Sequence, residues 1–214
     1  MNYYGNHDTS NKMRKQIVWK KNTKEAVWTE IVSEKIRKQK ELLEIFGKEE
    51  SKVLSSYLEK IEWGDKTNRE GHAAKVYFNA LFGQDFTRTE DNCINAALNY
   101  GYSIVLSAFT REITVNGYLT QLGIFHDNMF NQFNLASDFM EPFRVLVDKK
   151  VCKMELLEFE HSEKMQLVDI LNQEVQIDGR IQYVNNAIKI YCKSVLEALN
   201  EDDSSLIRFY KIEL

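Results

Sequence analysis

Apolar positions in this chain recur mostly at intervals of three and four, the period of a helix face. Met13, Ile17 and Val18 mark a short helix over about 10–20. After a break at Asn22 and Thr23, the stripe Ala26, Val27, Ile31, Val32 and Ile36 predicts a longer helix to about Phe46. Trp19 and Trp28 are placed to pin this pair to the body. Val53, Leu54, Tyr57, Leu58 and Ile61 predict a third helix over 49–61, ended by Trp63, Gly64 and Asp65. Thr67 and Glu70 have the spacing of a capping box, opening a fourth helix with Ala73, Ala74, Tyr77, Phe78 and Leu81 inward. Gly83 closes it. Residues 92–115 form the most hydrophobic helix, apolar nearly all round and therefore central. A further helix is expected from about Ala136 to about Phe159, and a short one over 162–173. Asp178-Gly179 between two β-prone runs reads as a type I′ hairpin turn. A last helix over 185–199 carries Ile188, Ile190, Tyr191, Val195, Leu196 and Leu199, and the apolar, basic tail 206–214 is free to dock on the body or a partner. The expected fold is all-α with one small hairpin.

Composition narrows the function classes. One proline and nine glycines agree with a helical chain of few long loops. With 28 basic and 32 acidic residues the net charge is −4, so any DNA-binding surface must be a local patch or be supplied partly by partners. Lys12, Arg14, Lys15, Lys20, Lys21 and Lys24 crowd the first two helices and read as a solvated face, slightly ahead of a phosphate-contacting surface. Cys93, Cys152 and Cys192 are far apart with no CxxC, which argues against zinc or redox chemistry and for buried, reduced thiols in a cytosolic protein. The N-terminus has no signal-peptide core. The uncharged run 92–110 holds too many polar groups to cross a lipid bilayer, so no membrane partner is expected.

The densest chemistry lies in His126–Arg144, HDNMFNQFNLASDFMEPFR. A histidine precedes an amide-rich loop (Asn128, Asn131, Gln132, Asn134), then Asp138 and Glu141 stand one helical turn apart, with Arg144 three further on. Phe139, Phe143, Leu146 and Val147 mark the opposite, apolar side. A metal site is one reading. A helix N-cap at Asp138 with Glu141 as its acidic partner, and the lone Pro142 in the first turn, is the other.

Three blocks, NREGHAAKVYFNALFG (68–83), NAALNYGY (95–102) and FNLASDFMEPFRVLVD (133–148), together resemble the CRISPR-associated integrase, protein one of the CRISPR adaptation machinery. The match is close to the form found beside the single large effector nuclease of type II systems. The start, YYGNHDTSNKMRKQIVWK, is similar to the beginning of that family's helical domain, and the resemblance runs to about residue 150 before weakening. It implies that Glu70, His126 and Glu141 are metal ligands for Mg²⁺ or Mn²⁺ in a catalytic centre. Asp138 would assist as a further carboxylate, and Arg144 would follow the acid as in the family. Val145 stands where the family usually has proline.

The resemblance also implies the reaction, attack of a DNA 3′-hydroxyl on a phosphodiester at the edge of a CRISPR repeat. The implied partners are protospacer and repeat DNA, a second adaptation protein, in type II systems the effector nuclease, and a homodimer mate. On this reading 1–214 is the helical catalytic domain, without the family's N-terminal β-rich domain. Arg144, Arg69, Lys75, Arg88 and Arg111 are candidates to hold backbone phosphates, with ordinary salt bridges as the equal alternative for each. The competing functional reading is a catalytically silent remnant acting as a helical DNA- or protein-binding module.

Overall fold

A computed structural model describes residues 8–154 and 156–211. The first five residues of the N-terminal stretch of the resemblance and the last three of the tail lie outside that range. The element order is α1 (Thr9–Ile17), α2 (Lys21–Ile45), α3 (Ser51–Leu58), α4 (Arg69–Phe82), α5 (Cys93–Val115), α6 (Asn134–Met140), α7 (Arg144–Lys153), α8 (His161–Val168), β1 (Glu174–Ile177), β2 (Arg180–Tyr183) and α9 (Val184–Glu201), with short 3₁₀ turns between several of them. The mostly helical reading holds. Antiparallel β1 and β2 pair Ile177 with Arg180 around a turn in which Asp178 and Gly179 both take positive φ (52° and 71°), as a type I′ turn requires. Among the described residues no helix is long and apolar enough to cross a membrane.

The long α2 is the axis of the molecule. It packs against α3, α4, α7, α9 and the 3₁₀ turn Glu141–Phe143. Its buried stripe Val27, Trp28, Ile31, Val32, Ile36, Leu42 and Leu43 is interrupted by buried Glu34, Lys35, Lys38 and Gln39. α5 lies against α6, α7, α8 and α9. Gly101 lets α5 and α7 meet closely, since a Cβ there would come within 2.4 Å of Val147 Cγ1. The tail docks on the body: Tyr210 is fully buried and donates to the Pro142 carbonyl at 2.9 Å, and Lys211 bridges to Gln176. Trp19 donates to Asn200 and Trp28 stacks on Phe125, so both tryptophans pin the N-terminal helices.

Several expectations need correction. The first break falls at residues 18–20, ahead of Asn22, and Ile17 and Val18 are exposed. Val53 is also largely exposed. The helix expected from Ala136 to Phe159 is two helices joined by the 3₁₀ turn Glu141–Phe143, and it ends at Lys153. Pro142 supplies no N–H and sets the break. Of the cysteines only Cys192 is buried, though all three are free thiols.

Candidate functional site

Local capping decides which acids are free for chemistry. The capping box at Thr67 and Glu70 does not form. Asn68, at φ 51°, is the N-cap and accepts from Gly71 N–H, while buried Asp65 accepts from the N–H groups of Arg69 and Glu70. With those donors satisfied elsewhere, the Glu70 carboxylate turns to the interior. Asp138 is likewise no N-cap, because α6 begins at Asn134. Its side chain is fully buried and accepts from the backbone N–H of Ile124 (2.7 Å), Phe125 (3.2 Å) and His126 (3.0 Å). The same carboxylate bonds His126 Nδ1 at 2.6 Å. Gly123 makes this approach possible, since a Cβ there would come within 2.2 Å of the His126 carbonyl and 2.7 Å of Asp138 Oδ2. The amides of the loop mostly build it: Asn128 accepts from Phe130 N–H, Asn131 from Phe133 N–H, and Asn134 donates to the carbonyls of Gln121 and Asn128.

Glu70 of α4 and Glu141, far apart in sequence, converge on one cation that is not a metal. Lys35 of α2 donates to Glu70 Oε1 and, at 2.5 Å, to Glu141 Oε2. Arg144 closes the other side of Glu141, Nε to Oε1 at 2.9 Å. Burial works against all these charges, but the pairing outweighs it. The Glu141 carboxyl is held down at about 2 by Arg144 and Lys35, and Lys35 and Arg144 are both raised by Glu141. His126 is raised mainly by its bond to Asp138, with Glu141 and Glu70 adding to the effect. The imidazole therefore stands within electrostatic reach of both glutamates. It is not part of the lining of the cavity beside them.

That cavity, about 220 Å³, is lined by Lys35, Glu70, Arg88, Tyr102, Glu141 and Arg144, with Gln39, Phe78 and Asp148 completing it. The guanidinium groups of Arg144 and Arg88 lie over the Tyr102 ring at 4.7 and 5.4 Å. Arg88 also donates to Asn95 and Asn99. The other basic candidates sit elsewhere. Arg69 lies over the Tyr57 ring, Lys75 lines a neighbouring groove that Arg88 shares, and Arg111 bonds Asn185 on α9. None of these three lines the cavity.

Asp148 closes the floor, accepting from Tyr77 at 2.8 Å and from Tyr102. Burial raises its carboxyl to about 6 despite those two bonds. Folded protein then binds more protons than unfolded between pH 3.8 and about 6, so stability falls as pH rises through that window. The expected loss is on the order of 3 kcal/mol. Asp148→Asn should flatten the thermal-stability profile between pH 4.5 and 6.5, the part that Glu141 does not share. Superimposable profiles of the two proteins would contradict this.

Whether a divalent ion fits here turns on the donors themselves. Among the described residues no three His, Cys, Asp or Glu side chains stand at metal-holding spacing. The two glutamates nevertheless share a cation already, the Lys35 ammonium, and His126 has its Nδ1 committed to Asp138, which leaves Nε2 as the ring nitrogen for a ligand. An ion at these carboxylate oxygens would require the Lys35 ammonium to give way. Lys35, Asp148 and Asp65 were not anticipated from sequence. The signal for Lys35 was there, a lysine four residues after Ile31 on the apolar stripe of α2.

Residues 2–156 match the protein family described as CRISPR associated protein Cas1. The chain belongs to the Cas1 family. A relative, the CRISPR-associated endonuclease Cas1 of Neisseria meningitidis serogroup C, is 43% identical over 129 residues, which is 60% of this chain and 42% of that protein. The chain thus spans less than half of that relative's length. A casposase bound to integration product superposes with a TM-score of 0.76 at 19% identity, covering 92% of this chain and 72% of that one. A partial Cas6-RT-Cas1–Cas2 complex gives a TM-score of 0.75 at 18% identity, covering 94% and 73%. These two likenesses establish a shared fold, and the family assignment rests on the sequence match.

Proposed function

We propose that this chain is the helical catalytic domain of a Cas1 integrase, a Mg²⁺- or Mn²⁺-dependent enzyme that cleaves and joins DNA phosphodiesters during acquisition of CRISPR spacers. The observation that carries the reading is the convergence of Glu70 and Glu141, from separate sequence blocks, at a cavity that also holds Arg144 and Arg88. Glu70, Glu141 and His126 would hold the ion, which supplies positive charge to a phosphoryl oxygen and lowers the pKa of an attacking hydroxyl. The other roles belong to the chain's own groups. Asp138 fixes the ring and tautomer of His126. Arg144 and Arg88, held over Tyr102, keep two guanidinium groups beside the acids, suited to the oxygens of a diester. The names of the structural neighbours support DNA and Cas2 as partners.

With a net charge of −4, DNA must be held by this local cluster. Binding of a branched duplex should therefore fall steeply as salt rises. Arg144→Ala should weaken it at least severalfold, removing a charged hydrogen-bond donor without unfolding the domain. With Mn²⁺ the chain should cleave or strand-join that duplex, and a chelator should stop it. Salt-insensitive binding, or turnover in excess chelator, would overturn the reading.

A further inference from the structure

Lys35 is an unusual neighbour for two candidate metal ligands. Its ammonium bonds a carboxylate oxygen of Glu70 and another of Glu141, so it uses the same oxygens a divalent ion would need. It cannot retreat far. Its stem belongs to the packed face of α2, between buried Ile31, Val32, Ile36 and Gln39, and the residue is 6% exposed. Two cations at these oxygens would also repel each other at close range in a poorly hydrated site.

A displaced ammonium must find another anion or remain buried without one, which is costly. The neighbours give it little choice. Arg144 beside it is positive, and Asp148, across the same cavity, already accepts from two tyrosines. A phosphate entering the cavity would supply the missing negative charge. We propose that Lys35 is a tethered competitor of the divalent ion. It holds Glu70 and Glu141 together, weakens binding of the ion alone, and releases them when ion and phosphodiester arrive together. The inference rests on the metal-dependent reading above and deepens it, making Lys35 a positioning residue that couples the two ligands.

The test is titration of the whole chain with Mn²⁺, followed by calorimetry and by the electron paramagnetic signal of free Mn²⁺, with and without a short nicked duplex. Glu141→Gln protein serves as the blank for Mn²⁺ carried by the DNA. Lys35→Met should bind Mn²⁺ alone at least about tenfold more tightly than wild type, the equivalent of one charge-assisted contact no longer given up. DNA should tighten Mn²⁺ binding severalfold in wild type and much less in the variant. Without Mn²⁺ the Lys35→Met protein should melt earlier, since two carboxylates lose their partner, and Mn²⁺ should raise its Tm more than that of wild type. Lys35→Gln, which keeps a donor but no charge, gives the same comparison of affinities if the methionine variant does not fold. Mn²⁺ affinity that is equal or weaker in the variants overturns this inference alone. Absence of saturable Mn²⁺ binding in every protein overturns the metal-dependent reading, and the inference with it.

Discussion

Glu141→Ala should abolish Mn²⁺-dependent DNA cleavage and joining and should also destabilise the domain by on the order of 3–5 kcal/mol, the usual cost of removing one partner from a buried charge cluster. Both effects come from the same position. Glu141 is almost fully buried between Lys35 and Arg144, and truncation leaves two buried cations with no carboxylate between them, Glu70 bonding only Lys35 and Asp148 lying across the cavity. Its carboxyl sits at about 2 instead of 4.5. A depressed carboxyl contributes stability that is fully present above pH 4.5 and is lost as pH falls toward 2. Urea denaturation of the wild type should therefore show a loss of stability across that window, and the alanine variant should show much less. Glu141→Gln separates the two effects. It keeps the shape and one acceptor, so it should fold at pH 7 with a smaller loss, yet stay inactive because the amide brings no charge to the ion. A glutamine variant with wild-type turnover would remove Glu141 from the catalytic centre.

Asp138→Ala should be the second severe change, costing on the order of 3–5 kcal/mol and releasing His126. One buried carboxylate accepts three consecutive backbone N–H groups and the imidazole, so its removal leaves several donors unpaired at once. The readouts are amide exchange over residues 124–126 and the titration of the His126 ring by NMR. Exchange should accelerate sharply at those amides. The ring should titrate lower than in wild type, because the bond to Asp138 is the largest influence raising it. Gly123→Ala should reproduce the loosening with every acid intact, since its Cβ would push into the His126 carbonyl and the same carboxylate. Unchanged exchange in both variants would show that the loop is held by other contacts.

The helices of this protein were legible in its sequence because their apolar stripes repeat with the period of the helix, a local property. The hairpin was legible for a similar reason, Asp178-Gly179 being a pair that tolerates positive φ. The family resemblance also pointed to Glu70, His126, Asp138, Glu141 and Arg144, and the fold brings Glu70, Glu141 and Arg144 to one cavity, with His126 outside its lining. Capping was where local reasoning failed. Thr67 and Asp138 both had the spacing of N-caps, but Asn68 with Asp65 capped one helix, and the other began four residues before Asp138. The partner of each acid was decided only by the tertiary structure. Lys35, Asp148 and the tyrosines of the floor come from elements far apart in sequence, and their effect depends on which charges share a poorly hydrated space. Periodicity places a side chain on a face. It does not specify what that face will meet, and for a buried charge the meeting determines the protonation state, the stability and the ion it can hold.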